Sequence, residues 1–101
     1  MKKFNVAVVG ATGMVGRMML KVLEERTFPI ENLYLFSSGK SKGTKITFCD
    51  KEYTVEELDE HSFDRKIDIA LFSAGGDVSK IYAPIAKSKG TVVIDNSSAW
   101  R

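Results

Sequence analysis

One cysteine in 101 residues excludes an internal disulfide, and Cys49 has no neighbours at metal-ligand spacing. No apolar run approaches the roughly 20 residues of a membrane-spanning helix. The opening MKKFNVAVVG has neither the long apolar stretch nor the small-residue cleavage site of a secretory leader, so the expected compartment is the cytoplasm. An excess of one charge is missing too. Fifteen basic against 13 acidic side chains leave a net charge of +2, which argues against nucleic acid or a membrane surface as partner. With no low-complexity tract and no linker, 44% hydrophobic and 28% charged residues describe one modest globular domain over residues 1–101.

What the chain does have is VAVVGATGMVG, residues 6–16, an uninterrupted apolar run that passes into a glycine-punctuated turn. Such a run suits a strand covered on both faces, as in a parallel sheet flanked by helices. Beyond Gly10, Gly13 and Gly16 the residues Val15, Met18, Met19, Val22 and Leu23 recur at helical spacing, predicting an amphipathic helix that ends near Arg26. A strand-to-helix junction of this kind holds an anion without a charged side chain, because the first N–H groups of a helix lack partners and its dipole favours negative charge. In a dinucleotide-binding reading Gly10 makes the tight turn, the backbone around Thr12, Gly13 and Met14 faces the pyrophosphate, and Gly16 lets helix and strand pack closely. The alternative is a tight connection with no ligand.

Asn32 to Ser38 reads as a second strand, followed by the basic loop GKSKGTK. KITFC and EYTV, flanking Asp50-Lys51, predict a short hairpin with Ile46 and Phe48 on one face. EELDEHSFDRK reads as polar and irregular. IDIALFS, residues 67–73, is another buried strand, the helical spacing of Val78, Ile81, Tyr82, Ile85 and Ala86 follows, Gly90 closes that helix, and TVVID is the last strand. Two such units with right-handed crossovers in opposite directions give an α/β, Rossmann-like, doubly wound, mainly parallel sheet with helices on both faces. Its crevice lies at the carboxyl ends of the strands, where residues 11–14, 73–76 and 96–101 converge. At the end of the second strand, where NAD-binding sheets carry an acidic residue, stand Ser37, Ser38, Gly39, Lys40 and Ser41. Their donors and positive charge suit a 2′-phosphate and favour NADP, the alternative being a solvated basic loop.

VAVVGATGMVG, SSGKSKG, DIALFSAGG and VVIDNSSAWR together make the whole chain resemble the N-terminal part of the aspartate-semialdehyde dehydrogenases. The resemblance implies NADP held by the turn of Gly10, Ala11, Thr12, Gly13, Met14 and Val15. It also implies contacts from Ser38, Gly39, Lys40 and Ser41, with Thr54 near the adenosine ribose phosphate, from Ser73, Ala74 and Gly75 on the nicotinamide side, and from Asn96. Arg101 matches the arginine that binds phosphate, or the substrate's acyl phosphate. The family typically has arginine where this chain has Lys40, which keeps the charge and loses the planar fork.

The reaction implied is reversible reduction of 4-phospho-L-aspartate to L-aspartate 4-semialdehyde with release of phosphate, on the branch toward lysine, methionine, threonine and isoleucine. The family uses a cysteine thiolate in a Pro-Asn-Cys segment and an acid/base histidine. Cys49 and His61 match neither and read as a hairpin residue and a solvated loop residue. A catalytic and dimer-forming domain is therefore expected to follow Arg101, and the 101 residues are expected to bind nucleotide without catalysing the reaction. A stand-alone NADP sensor and the N-terminal domain of an acylglutamyl-phosphate reductase share the nucleotide-binding features.

Overall fold

The computed structural model describes residues 3–73 and 76–95. In chain order they form β1 (Phe4–Val9), α1 (Met14–Glu25), β2 (Ile30–Ser37), a 3-10 turn (Gly39–Ser41), β3 (Lys45–Phe48), β4 (Lys51–Thr54), β5 (Glu56–Glu57), β6 (Ile69–Phe72), α2 (Gly76–Ser88) and β7 (Val92–Asp95). Five strands pair in the order β5-β2-β1-β6-β7, every pair parallel, and β3 with β4 makes a separate antiparallel hairpin. The step from β1 through α1 to β2 and the step from β6 through α2 to β7 run in opposite directions, so the sheet is doubly wound.

The apolar run of β1 behaves as a strand buried on both faces. Val6 and Val8 pack with Leu20 of α1 and Phe48 of the hairpin, while Ala7 and Val9 pack on the other face with Phe72 and with Ala86 of α2. Leu33 and Leu35 of β2 join the first cluster and Phe36 the second. One helix therefore covers each face, and the hairpin lies beside α1 with Ile46 and Phe48 turned to the same core.

The buried stripe of α1 differs from the predicted one. Met18 and Val22 are 61% and 47% exposed, and the helix instead presents Gly16 and Leu20 to the sheet. The cause is steric. A Cβ on Gly16 would run into the Gly10 carbonyl oxygen and come within 2.9 Å of Ala11 Cα, so the helix docks through its one position without a side chain, which turns the predicted stripe partly outward. In α2 the expected Ile81 is likewise exposed, and Ser79 and Ala86 are the buried positions. The hairpin turn sits at Cys49-Asp50, one residue earlier than expected, with both residues at positive φ (50° and 65°).

Residues 56–66 are less irregular than their polarity suggests. Glu56–Glu57 adds the fifth strand beside β2, and Phe63 is fully buried, stacked on Phe72 at 6.0 Å between centroids. Arg65 makes two bonds to the Glu56 carboxylate, of 3.0 and 3.1 Å, and lies over the Tyr34 ring. Two apolar residues five positions apart, Leu58 and Phe63, in a charged segment are too weak a periodic signal to reveal this cover.

Candidate functional site

The turn after β1 is fixed by its own backbone. Gly10, at φ 86°, occupies a conformation that favours glycine, and its N–H and that of Ala11 both donate to the Phe36 carbonyl, at 2.8 and 3.1 Å. The N–H of Gly13 donates to the Gly10 carbonyl (3.1 Å), and Gly13 is the N-cap of α1 without a side-chain cap. The N–H groups of Thr12, Met14 and Val15 are left without partners among the described residues. These N–H groups, at the positive end of a 12-residue helix with no acidic residue in its first turn, are the donor set a pyrophosphate needs. A Cβ on Gly13 would meet nothing nearer than the Gly10 carbonyl oxygen at 3.5 Å, so the space in front of it is open.

Beside this turn the fold gathers the hydroxyls of the second strand and its loop. Thr12 Oγ1 lies 3.0 Å from Ser37 Oγ and donates to Ser41 Oγ at 3.2 Å. Three chain segments that are 25 and 29 residues apart thus meet in one hydroxyl cluster. Ser38 stands at the N-cap position of the 3-10 turn that carries Gly39, Lys40 and Ser41, with no side-chain cap bond, and Lys40 is exposed. At the β1 and β2 ends opens a cavity of about 420 Å³, lined by Val9, Gly10, Ser37, Glu57, Val78 and Tyr82 among others. Its apolar walls beside the phosphate-type donors fit the base and ribose of a nucleotide.

Ser73, at the end of β6, spends its hydroxyl inside the protein, donating to the carbonyls of Val9 (2.8 Å) and Gly10 (3.2 Å). It thereby ties β6 to the glycine turn. Thr54 stands apart from the turn: its hydroxyl accepts from Lys45 Nζ at 2.7 Å, and it lines a second, shallower cavity with Lys42 and Gly43. Ala74, Gly75, Asn96 and Arg101 lie outside the described residues.

Glu57 belongs to this region although nothing in the sequence placed it there. Ser37 to Ser41 at the end of β2 include no carboxylate, but β5 pairs beside β2 and carries the Glu57 carboxylate to within 2.9 Å of where a Gly39 Cβ would stand. Only the pairing of a two-residue strand reveals that neighbour.

Cys49 and His61 sit far from this chemistry. Cys49 is exposed in the hairpin turn, its N–H bonded to Glu24 at 2.7 Å, and desolvation together with the Glu24 and Asp50 carboxylates raises its thiol pKa, which keeps it protonated at neutral pH. His61 is exposed and bonded to Asp64.

The family model described as semialdehyde dehydrogenase, NAD binding domain, matches residues 5–101. The aspartate-semialdehyde dehydrogenase of Aquifex aeolicus is 58% identical over 98 residues, covering 97% of this chain and 29% of the relative. Among solved structures, aspartate semialdehyde dehydrogenase II of Vibrio cholerae, complexed with ASA, superposes with a TM-score of 0.92 at 47% identity, covering 98% of this chain and 32% of that one. The Candida albicans enzyme with NADP shares the fold at a TM-score of 0.79 and 21% identity, covering 98% and 31%. The chain spans less than a third of each of these relatives. Five parallel strands wound both ways around a capless glycine turn, matched over nearly the whole chain, show that it belongs to the semialdehyde dehydrogenase NAD-binding domain family, as a domain of the aspartate-semialdehyde dehydrogenase kind.

Proposed function

We propose that this domain holds NADP and, joined to a catalytic domain, serves the reversible reduction of 4-phospho-L-aspartate to L-aspartate 4-semialdehyde with release of phosphate. The observation that carries the cofactor reading is the convergence of Thr12, Ser37 and Ser41 hydroxyls beside the open N-terminus of α1. The free N–H groups of Thr12, Met14 and Val15 take the pyrophosphate, while Ser38, Lys40 and Ser41 take the adenosine 2′-phosphate. NADPH, when bound, supplies hydride to the acyl carbon. This chain's own part is to bind and orient: Ser73 locks the Gly10 carbonyl, so the turn keeps its shape at the crevice. Arg101, by resemblance, binds phosphate or the substrate's acyl phosphate, and the whole enzyme is a homodimer acting in lysine, methionine, threonine and isoleucine synthesis.

Titration of the chain with NADP and NAD tests the reading. NADP binds more tightly, and Lys40→Ala narrows the difference by about 1 to 2 kcal/mol, the scale of one charge-assisted hydrogen bond. Equal affinities for the two cofactors in the unmutated chain contradict it. The 101 residues alone turn over no aspartate semialdehyde in the presence of NADP and phosphate, because neither Cys49 nor His61 adjoins the crevice. Turnover abolished by Cys49→Ser would refute that division of labour.

A further inference from the structure

Arg17 lies in the second turn of α1 and entered none of the sequence arguments. Its Nε donates to the Thr12 carbonyl at 3.2 Å, and Thr12 is the residue whose hydroxyl reaches Ser37 and Ser41. The guanidinium is thus held by one N–H against the backbone of the hydroxyl cluster. Its other four N–H donors have no partner among the described residues, and no carboxylate lies within 4.0 Å of it. Among the described cations Arg65 pairs with Glu56, Lys89 with Asp64, and Lys45 bonds Thr54, whereas Arg17 is the one tied to the backbone of the glycine turn. A guanidinium anchored through Nε presents a preset planar fork, which matches two oxygens of a phosphate in a way an ammonium does not.

We infer that Arg17 is a specificity-determining residue that recognises the adenosine 2′-phosphate, supplying from α1 the bidentate contact that Lys40 in the loop cannot make. The inference rests on the NADP reading above and adds to it which residue discriminates. The tether sets the direction. Thr12 offers its carbonyl to Arg17 and its hydroxyl to Ser37 and Ser41, so this one residue links the guanidinium on the helix to the loop that carries Lys40. Arg17 is exposed and has no packing role in either core cluster, so removing it leaves the fold in place.

The test is calorimetric titration of the chain and of Arg17→Ala and Arg17→Lys with four probes: NADP, NAD, adenosine 2′,5′-bisphosphate and AMP. Circular dichroism first checks that both variants remain folded. Arg17→Ala weakens NADP and adenosine 2′,5′-bisphosphate about tenfold and leaves NAD and AMP unchanged, and Arg17→Lys recovers only part of the loss. Equal weakening of NADP and NAD assigns Arg17 to the pyrophosphate and overturns the inference. Unchanged binding of all four probes overturns it as well. An unmutated chain that binds NAD as tightly as NADP refutes the underlying cofactor reading, a result distinct from either.

Discussion

At the scale of single residues the glycine turn divides structure from function. Gly16 is required for folding, because any side chain there meets the Gly10 carbonyl and Ala11. Gly13 is open toward the crevice, and a Cβ there makes only ordinary contact with Gly10. Gly16→Ala is therefore expected to cost about 3 kcal/mol or more, the upper range for overpacking. Gly13→Ala is expected to keep the fold while weakening nucleotide binding. Chemical denaturation and calorimetry of the two variants check the contrast, which a reversal of their roles would refute. Cys49 obeys a different constraint. It occupies a left-handed position in a two-residue hairpin turn, where L-residues are strained and glycine is not. Cys49→Gly is expected to raise stability by about 1 kcal/mol and to leave NADP affinity untouched, as urea unfolding and titration will show.

Among the elements, legibility followed the strength of the periodic signal. β1, β2, β6 and the two helices stood out because their apolar residues repeat over long stretches, and the glycines after β1 announced the turn. The face of α1 was misplaced by the close approach at Gly16, a tertiary constraint that apolar spacing does not encode. β5 escaped because two glutamates carry no strand signature and become a strand only by pairing with Phe36 and Ser37. The candidate site divides in the same way: the glycine turn and the loop of Ser38 and Lys40 follow from sequence pattern, whereas Glu57 beside Gly39 and the bond from Arg17 to Thr12 come only from strand pairing and side-chain direction. The segment after β5 is tied to α2 by a small charged cluster, in which Asp64 accepts from Lys89 at 3.0 Å and lies 3.0 Å from His61 Nδ1. The hydrogen bond to Asp64 and the nearby Asp64 and Glu60 charges raise the His61 pKa, and Lys89 and His61 lower that of Asp64. Stability from a raised histidine is present below its unfolded pKa and lost as pH rises through the folded value. Stability from a lowered carboxylate is lost as pH falls through its folded value. His61→Ala should thus lower the melting temperature more at pH 5.5 than at pH 8, and only slightly at either, since the group is fully exposed. A larger effect at pH 8 would contradict the assignment.

Taken as a whole molecule, the domain is finished on one side and open on the other. The β1–β2 half is covered on both faces, by α1 with the hairpin and by α2 with Phe63. Val93 faces the α2 cluster, so Val92 and Ile94 of the edge strand point to the α1 side, where both are exposed along with the Met14, Met18 and Val22 ridge. Apolar surface beside an unpaired strand favours association, so the chain is best studied at low concentration. The glycine turn, by contrast, is held from the well-packed half by the Phe36 carbonyl and from β6 by the Ser73 hydroxyl. NADP is expected to seat at that turn, and amide chemical-shift mapping of the chain on titration with NADP decides it. The largest shifts are expected at residues 10–17 and 37–41, with the β3–β4 turn and His61 unmoved. Shifts centred on the hairpin or on the exposed β7 edge, with residues 10–17 silent, would contradict it.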